Sequence, residues 1–212
     1  MRAFLLILAV FVVGPSVAFG QTIAYQFADS TGVPMSSFTV AVGLTVNVRV
    51  YLTQVTGTSL SNDGGLGSAA VRVTFGASPT ASLTATTAAV PPWQFGTLNG
   101  SDATSGVLNV GSLNPVTPVS GRIFLGTFQF TGQSLGITSL STADPNPGIG
   151  FDIITFNSFL DLDPQIVGPT NGLITVVPEP ATVLLLAAGG LGLCRVLVRR
   201  RNAANAVPAI AA

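Results

Sequence analysis

Leu44-Thr45-Val46-Asn47-Val48-Arg49-Val50-Tyr51-Leu52-Thr53 is the stretch on which the fold turns. Leu44, Val46, Val48, Val50 and Leu52 alternate with Thr45, Asn47, Arg49, Tyr51 and Thr53. A period of two puts one side of an extended chain in a core and the other in water, so this is a half-buried strand. The alternation returns at Ala69, Val71, Val73 and Phe75, spaced by Ala70, Arg72 and Thr74. It returns again from Arg122 to Phe130, where Phe124, Gly126, Phe128 and Phe130 share a face opposite Ile123, Leu125, Thr127 and Gln129, predicting one aromatic side. Further strands are expected at residues 22–28, 37–42, 82–86, 107–110, 135–140, 151–156 and 172–177. Between them lie turn-forming runs such as Asn62-Asp63-Gly64-Gly65 and Asp144-Pro145-Asn146-Pro147-Gly148. No stretch between 21 and 177 repeats with the helical period. The expected fold is therefore all-β, an antiparallel sandwich, and not a parallel sheet of βαβ units.

Composition narrows what such a domain can do. Of 212 residues only 8% are charged, against roughly 25% in an ordinary soluble domain, and the mean hydropathy is +0.63. There is no His, all eight basic residues are Arg, the single Glu is Glu179 and the single Cys is Cys194. Imidazole bases, amine nucleophiles, intrachain disulfides and multi-thiolate zinc sites are thereby excluded. No cofactor is implied. Residues 21 to 177 hold Arg49, Arg72 and Arg122 against seven Asp, so that region lacks the basic footprint of a nucleic-acid binder.

The ends carry the remaining hydrophobicity. Met1-Arg2, an apolar run from Ala3 to Val13, Gly14-Pro15 and the small residues up to Gly20 make a secretory signal peptide over 1–20. A domain of about 157 residues, 21–177, would then fold outside the cytoplasm around a single core. Beyond it come Val177-Pro178-Glu179-Pro180, an apolar run from Ala181, and a basic cluster of Arg195, Arg199, Arg200 and Arg201. Residues 181–198 rise ~27 Å as a helix, enough for a ~30 Å hydrocarbon core if Arg195 snorkels. The arginines place residues 202–212 in the cytoplasm and the acidic domain outside.

Pro178-Glu179-Pro180, the Leu/Gly/Ala-rich span 184–193 and the arginine cluster resemble, as a three-part composite over 178–201, the PEP-CTERM sorting signal of exopolysaccharide-producing bacteria. The resemblance implies recognition and processing by an exosortase, a membrane transpeptidase-like enzyme. Two departures stand out: eleven residues follow the cluster, and Arg195 interrupts the apolar span. The order of strands, from the Val-rich segment through Val71-Arg72-Val73-Thr74-Phe75-Gly76 and Leu125 to Gly132 to the closing Asn171-Gly172-Leu173-Ile174-Thr175-Val176, resembles a cohesin-type jelly-roll sandwich. That second resemblance implies an architecture and a binding role toward protein or glycan.

Together these readings describe an exported, membrane-anchored or exosortase-sorted surface or matrix protein that is not an enzyme, whose partners are extracellular polysaccharide or surface proteins. The alternatives are an Asp-dependent glycan hydrolase and a plain C-terminally anchored carbohydrate-binding module. Contacts would fall on a sheet face or on loops rich in Thr, Ser and the aromatics Trp93, Tyr25 and Tyr51. Trp93, in Pro91-Pro92-Trp93-Gln94-Phe95, is either a sugar-stacking platform or an aromatic plug on the core. Asp161 and Asp163, two residues apart with Asp144 and Asp152 in nearby loops, are the candidate calcium ligands, against solvated turn carboxylates. Gly132-Gln133-Ser134-Leu135-Gly136 matches a nucleophile elbow, Gly65-Leu66-Gly67-Ser68-Ala69-Ala70 imitates a dinucleotide fingerprint and Asp29-Ser30-Thr31-Gly32 an aspartic-protease loop, but each lacks its partners and reads as a turn.

Overall fold

The computed structural model describes residues 21–76, 79–97, 103–146, 151–179, 185 and 195–197. Eleven strands follow in chain order: β1 (Thr22–Ala28), β2 (Ser37–Ala41), β3 (Thr45–Thr56), β4 (Leu66–Thr74), β5 (Ala81–Ala88), β6 (Phe95–Thr97), β7 (Ser105–Val116), β8 (Arg122–Gly132), β9 (Gly136–Ala143), β10 (Ile154–Thr155) and β11 (Asn171–Val177). They form two sheets. One has the order β1-β3-β8-β5 and the other β2-β11-β9-β4-β7-β6, with β10 added to β4.

The alternating residues behave as their period requires. Val48, Val50 and Leu52 of β3 are buried, as are Val71 and Val73 of β4 and Leu108 and Val110 of β7. With Phe128 and Phe130 of β8 and Ile174 and Val176 of β11 they form one continuous core between the sheets. Phe75 meets Phe130 edge to face, with ring centroids 5.5 Å apart. A hydrogen bond also crosses the layers, from the Ala81 amide in one sheet to Thr138 Oγ1 in the other, at 2.9 Å.

Three expectations are corrected. β8 does not keep one face throughout: Tyr51 pairs with Phe124 but Val50 pairs with Gly126, so Leu125 is an extra residue, a β-bulge. Ile123 and Leu125 therefore join Phe128 and Phe130 in the core, and Phe124 turns to the outer face beside Tyr51. Nor are the sheets wholly antiparallel, since β11 runs parallel to β2 from Leu173↔Ser37 to Val177↔Ala41 and antiparallel to β9. Nearly the whole domain separates β2 from β11, so the long return that parallel pairing demands is available. Finally, the strand expected at 151–156 contracts to Ile154–Thr155, because the amides of Asp152 and Ile153 donate to the Asp163 carboxylate and not to a neighbouring strand.

Among the described residues no helix is long and apolar enough to cross a membrane. The expected signal helix at 1–20 lies outside the described residues, and so does the expected span at 181–198 except for Leu185 and residues 195–197, which are helical.

Candidate functional site

Asp161 and Asp163 sit in the loop that brings the chain to β11. Asp161 Oδ1 accepts the Asp163 amide at 3.0 Å, and both Asp163 oxygens accept amides, from Asp152 at 2.9 Å and Ile153 at 3.0 Å. Asn146 ties in the neighbouring loop, its amide donating to Asp144 Oδ1 and Asp152 Oδ2 and its side chain to Asp152 Oδ1. Burial, with the charges of Asp161 and Asp152 adding to it, pushes the Asp163 carboxyl up to about 6 against those amide bonds. Burial, then the hydrogen bond with Asp144, also raises Asp152. Tyr25 lies beneath the cluster, its phenol donating to the Ala70 carbonyl at 2.7 Å and held protonated by burial and then by Asp163, Asp144 and Asp152. These carboxylates are spent on fastening two loops. Among the described residues no three His, Cys, Asp or Glu side chains are grouped to hold a metal ion.

Trp93 is 1% exposed and its indole Nε1 donates to the Phe124 carbonyl at 2.8 Å. The platform reading is corrected: this ring has no surface to offer a sugar, because it fills the core beside β8. Tyr25, 2% exposed, is likewise interior.

The outer face of the β1-β3-β8-β5 sheet holds an arrangement that the sequence did not reveal. Tyr51 and Phe124, paired across β3 and β8, have ring centroids 5.0 Å apart. Arg49 lies 5.1 Å over the Phe124 ring and Arg122 lies 4.6 Å over the Tyr51 ring. Each guanidinium thus caps the aromatic diagonal to it, the reach expected of an antiparallel pair. The available signal was Arg49 and Tyr51 two residues apart on the outward side of β3. What hid the rest was the bulge at Leu125, which moves Phe124 to this face.

Two of the three motif imitations are turns, and the third is corrected: Gly65 to Ala70 leaves its turn at Gly65 and runs from Leu66 in strand β4. Asp29 Oδ1 accepts the amides of Thr31 and Val33 and the Thr31 hydroxyl, which with the neighbouring amide of Gly32 holds that carboxyl below its usual range. Gln133-Ser134-Leu135 links β8 to β9, and Leu66 opens β4 directly after a short 3-10 turn.

At the other end of the domain, Val176 is 3% exposed and the Val177 carbonyl accepts the Val42 amide at 3.0 Å. Pro178 and Glu179 follow with no strand pairing. Pro180 and Arg199 to Arg201 lie outside the described residues.

Residues 176–201 match a family model described as PEP-CTERM protein-sorting motif. No curated protein matches the chain. Solved structures do. A chain of the CaDoc0917–CaCohA2 complex is 15% identical, with 74% of this chain and 100% of that one covered and a TM-score of 0.52; CaCohA2 is from Clostridium acetobutylicum. A cohesin module from a Clostridium perfringens family 33 glycoside hydrolase is 10% identical, with coverage of 75% and 99% and a TM-score of 0.51. The sixth cohesin of Acetivibrio cellulolyticus scaffoldin B, solved with a dockerin, is 13% identical, with coverage of 74% and 99% and a TM-score of 0.50. This chain therefore joins a β-sandwich of cohesin-like fold to a PEP-CTERM protein-sorting motif.

Proposed function

We propose that the protein is exported by a signal peptide at 1–20, carries a non-catalytic β-sandwich at 21–177, and is delivered to the cell surface by an exosortase acting on the signal at 178–201. The sandwich serves structural or adhesive contacts there, with extracellular polysaccharide or surface proteins as partners. One observation carries this reading: the match to a protein-sorting motif starts on the last core strand, at residue 176. Folded domain and sorting device therefore abut with no intervening linker. The arginines Arg195, Arg199, Arg200 and Arg201 would hold the span 181–198 with its basic end in the cytoplasm, leaving residues 202–212 inside.

Val177, Pro178, Glu179 and Pro180 would be the segment the processing enzyme grips. The prolines supply no amide donors and favour extended backbone on either side, so the segment joins neither the sheet nor a membrane helix. Two features support a non-catalytic role. The carboxylates that a two-Asp hydrolase would use are occupied with backbone amides, and the solved neighbours include a cohesin bound to a dockerin. The test is surface delivery in the native cell: Glu179→Ala should leave the chain off the surface, whereas unchanged delivery would leave a plain anchor as the better account.

A further inference from the structure

We propose that the outer face of the β1-β3-β8-β5 sheet binds a carboxylated polysaccharide through the guanidinium groups of Arg49 and Arg122. This rests on the surface-protein reading above and names the site and the ligand chemistry that it leaves open. The domain is acidic overall, yet two of its three arginines lie on this one face. Among the described residues neither is paired with a carboxylate: Arg49 contacts the Phe124 ring, and Arg122 contacts the Tyr51 ring and Gln26 Oε1 at 3.5 Å. Asp29, in the turn after β1, spends its carboxylate on Thr31 and Val33. A guanidinium over a ring still carries N–H donors that can match a carboxylate as a fork.

What surrounds the arginines selects a glycan over a peptide. Amides and hydroxyls lie along the same face and its end: Gln129 donates to Asn47, Thr131 to Thr84, and Gln133, just past β8, to Ser82. Tyr, Phe and Arg are also common at the centre of protein interfaces, so an acidic peptide is the competing occupant, and the hydroxyls and amides around the arginines favour the glycan. Arg122, Tyr51 and Phe124 themselves line an open groove of about 460 Å³ that continues over Ile123, Pro91, Pro92, Thr117, Val119 and Ser120, which offers apolar ring surfaces and two hydroxyls along an extended polymer. Flat hydroxyl-rich ground with two spaced cations fits a chain of uronic-acid sugars.

The test uses the purified full chain in mild detergent with polygalacturonate at low ionic strength, read by affinity electrophoresis. Polygalacturonate should retard the protein, and fully methyl-esterified polygalacturonate should not. R49Q/R122Q should weaken the retardation at least about tenfold. R49K/R122K, which keeps both cations over the rings but removes the forks, should fall between, and thermal melting checks that each variant is folded. Equal retardation by polyglutamate would make the face a docking site for acidic peptide and overturn the proposal, as would equal binding of the methyl ester, no retardation, or full binding by folded R49Q/R122Q. Purified protein reads ligand binding alone, so a failure here would leave the sorting account standing, and a mis-sorted chain would still bind.

Discussion

At Gly126 a methyl group has nowhere to go. A Cβ there would sit 2.4 Å from the Thr87 carbonyl oxygen and 2.5 Å from a Leu108 methyl, because the bulge at Leu125 presses β8 against the end of β5. Backbone cannot yield as a side chain can. Gly126→Ala should therefore cost about 1–3 kcal/mol of stability, seen as a lower denaturation midpoint, and an unchanged midpoint would show that the bulge is misplaced. Trp93→Phe keeps most of the buried ring but orphans the Phe124 carbonyl, and should cost about 1–3 kcal/mol by the same measurement. At Asp163 the folded protein holds a proton more tightly than the unfolded chain does, its carboxyl standing at about 6 against an ordinary 3.8. Stability should then fall as pH rises from about 4 to about 6, since folding disfavours the charged form there. Asp152, also raised, acts in the same direction. Asp29 and Asp63, lowered by hydrogen bonds, gain their effect below that window. Thermal melts across pH 4 to 6 should slope downward for the native chain and flatten for Asp163→Asn; a native curve that rises would refute the assignment.

At the scale of elements, β11 bears most of the consequence. It lies between β2 and β9, with Ile174 and Val176 in the core, so a cut that removed it would open the larger sheet. On the proposed account processing falls beyond Val177, and a chain ending before Gly172 should be cleared by proteases while one ending at Pro178 should melt as the longer chain does. A melting temperature for the shorter chain equal to that of the longer would contradict this placement. Much of the strand pattern was legible: the alternation from Val46 to Leu52 and the turn residues between runs place β3, β4 and β8 close to where they lie. Leu44, outside β3 and exposed, was one residue too many. Other features were hidden for physical reasons. β6 is only three residues long and exists through its pairing with β7, which no local period announces. The bulge at Leu125 reverses the faces of β8, so the joint placement of Phe124, Tyr51 and the two arginines follows from cross-strand pairing that a single strand's alternation cannot give. The aspartates were visible as a group, but their use as loop fasteners depends on amides ten or eleven residues away.

Over the whole molecule, charge is sorted by place. Asp144, Asp152, Asp161 and Asp163 gather where two loops meet, Arg49 and Arg122 share one sheet face, and Arg199 to Arg201 follow the apolar run of the C-terminal segment. The central claim is that a self-contained β-sandwich is handed to the surface by a tail that works only in transit. Intact-mass and C-terminal peptide mass spectrometry of the protein recovered from the surface of its native cell tests that claim most directly. The account predicts a mature chain that begins near residue 21, retains β11 through Val177, and ends within or just after Val177-Pro178-Glu179-Pro180. Recovery of the chain with its tail intact through Ala212 would contradict it.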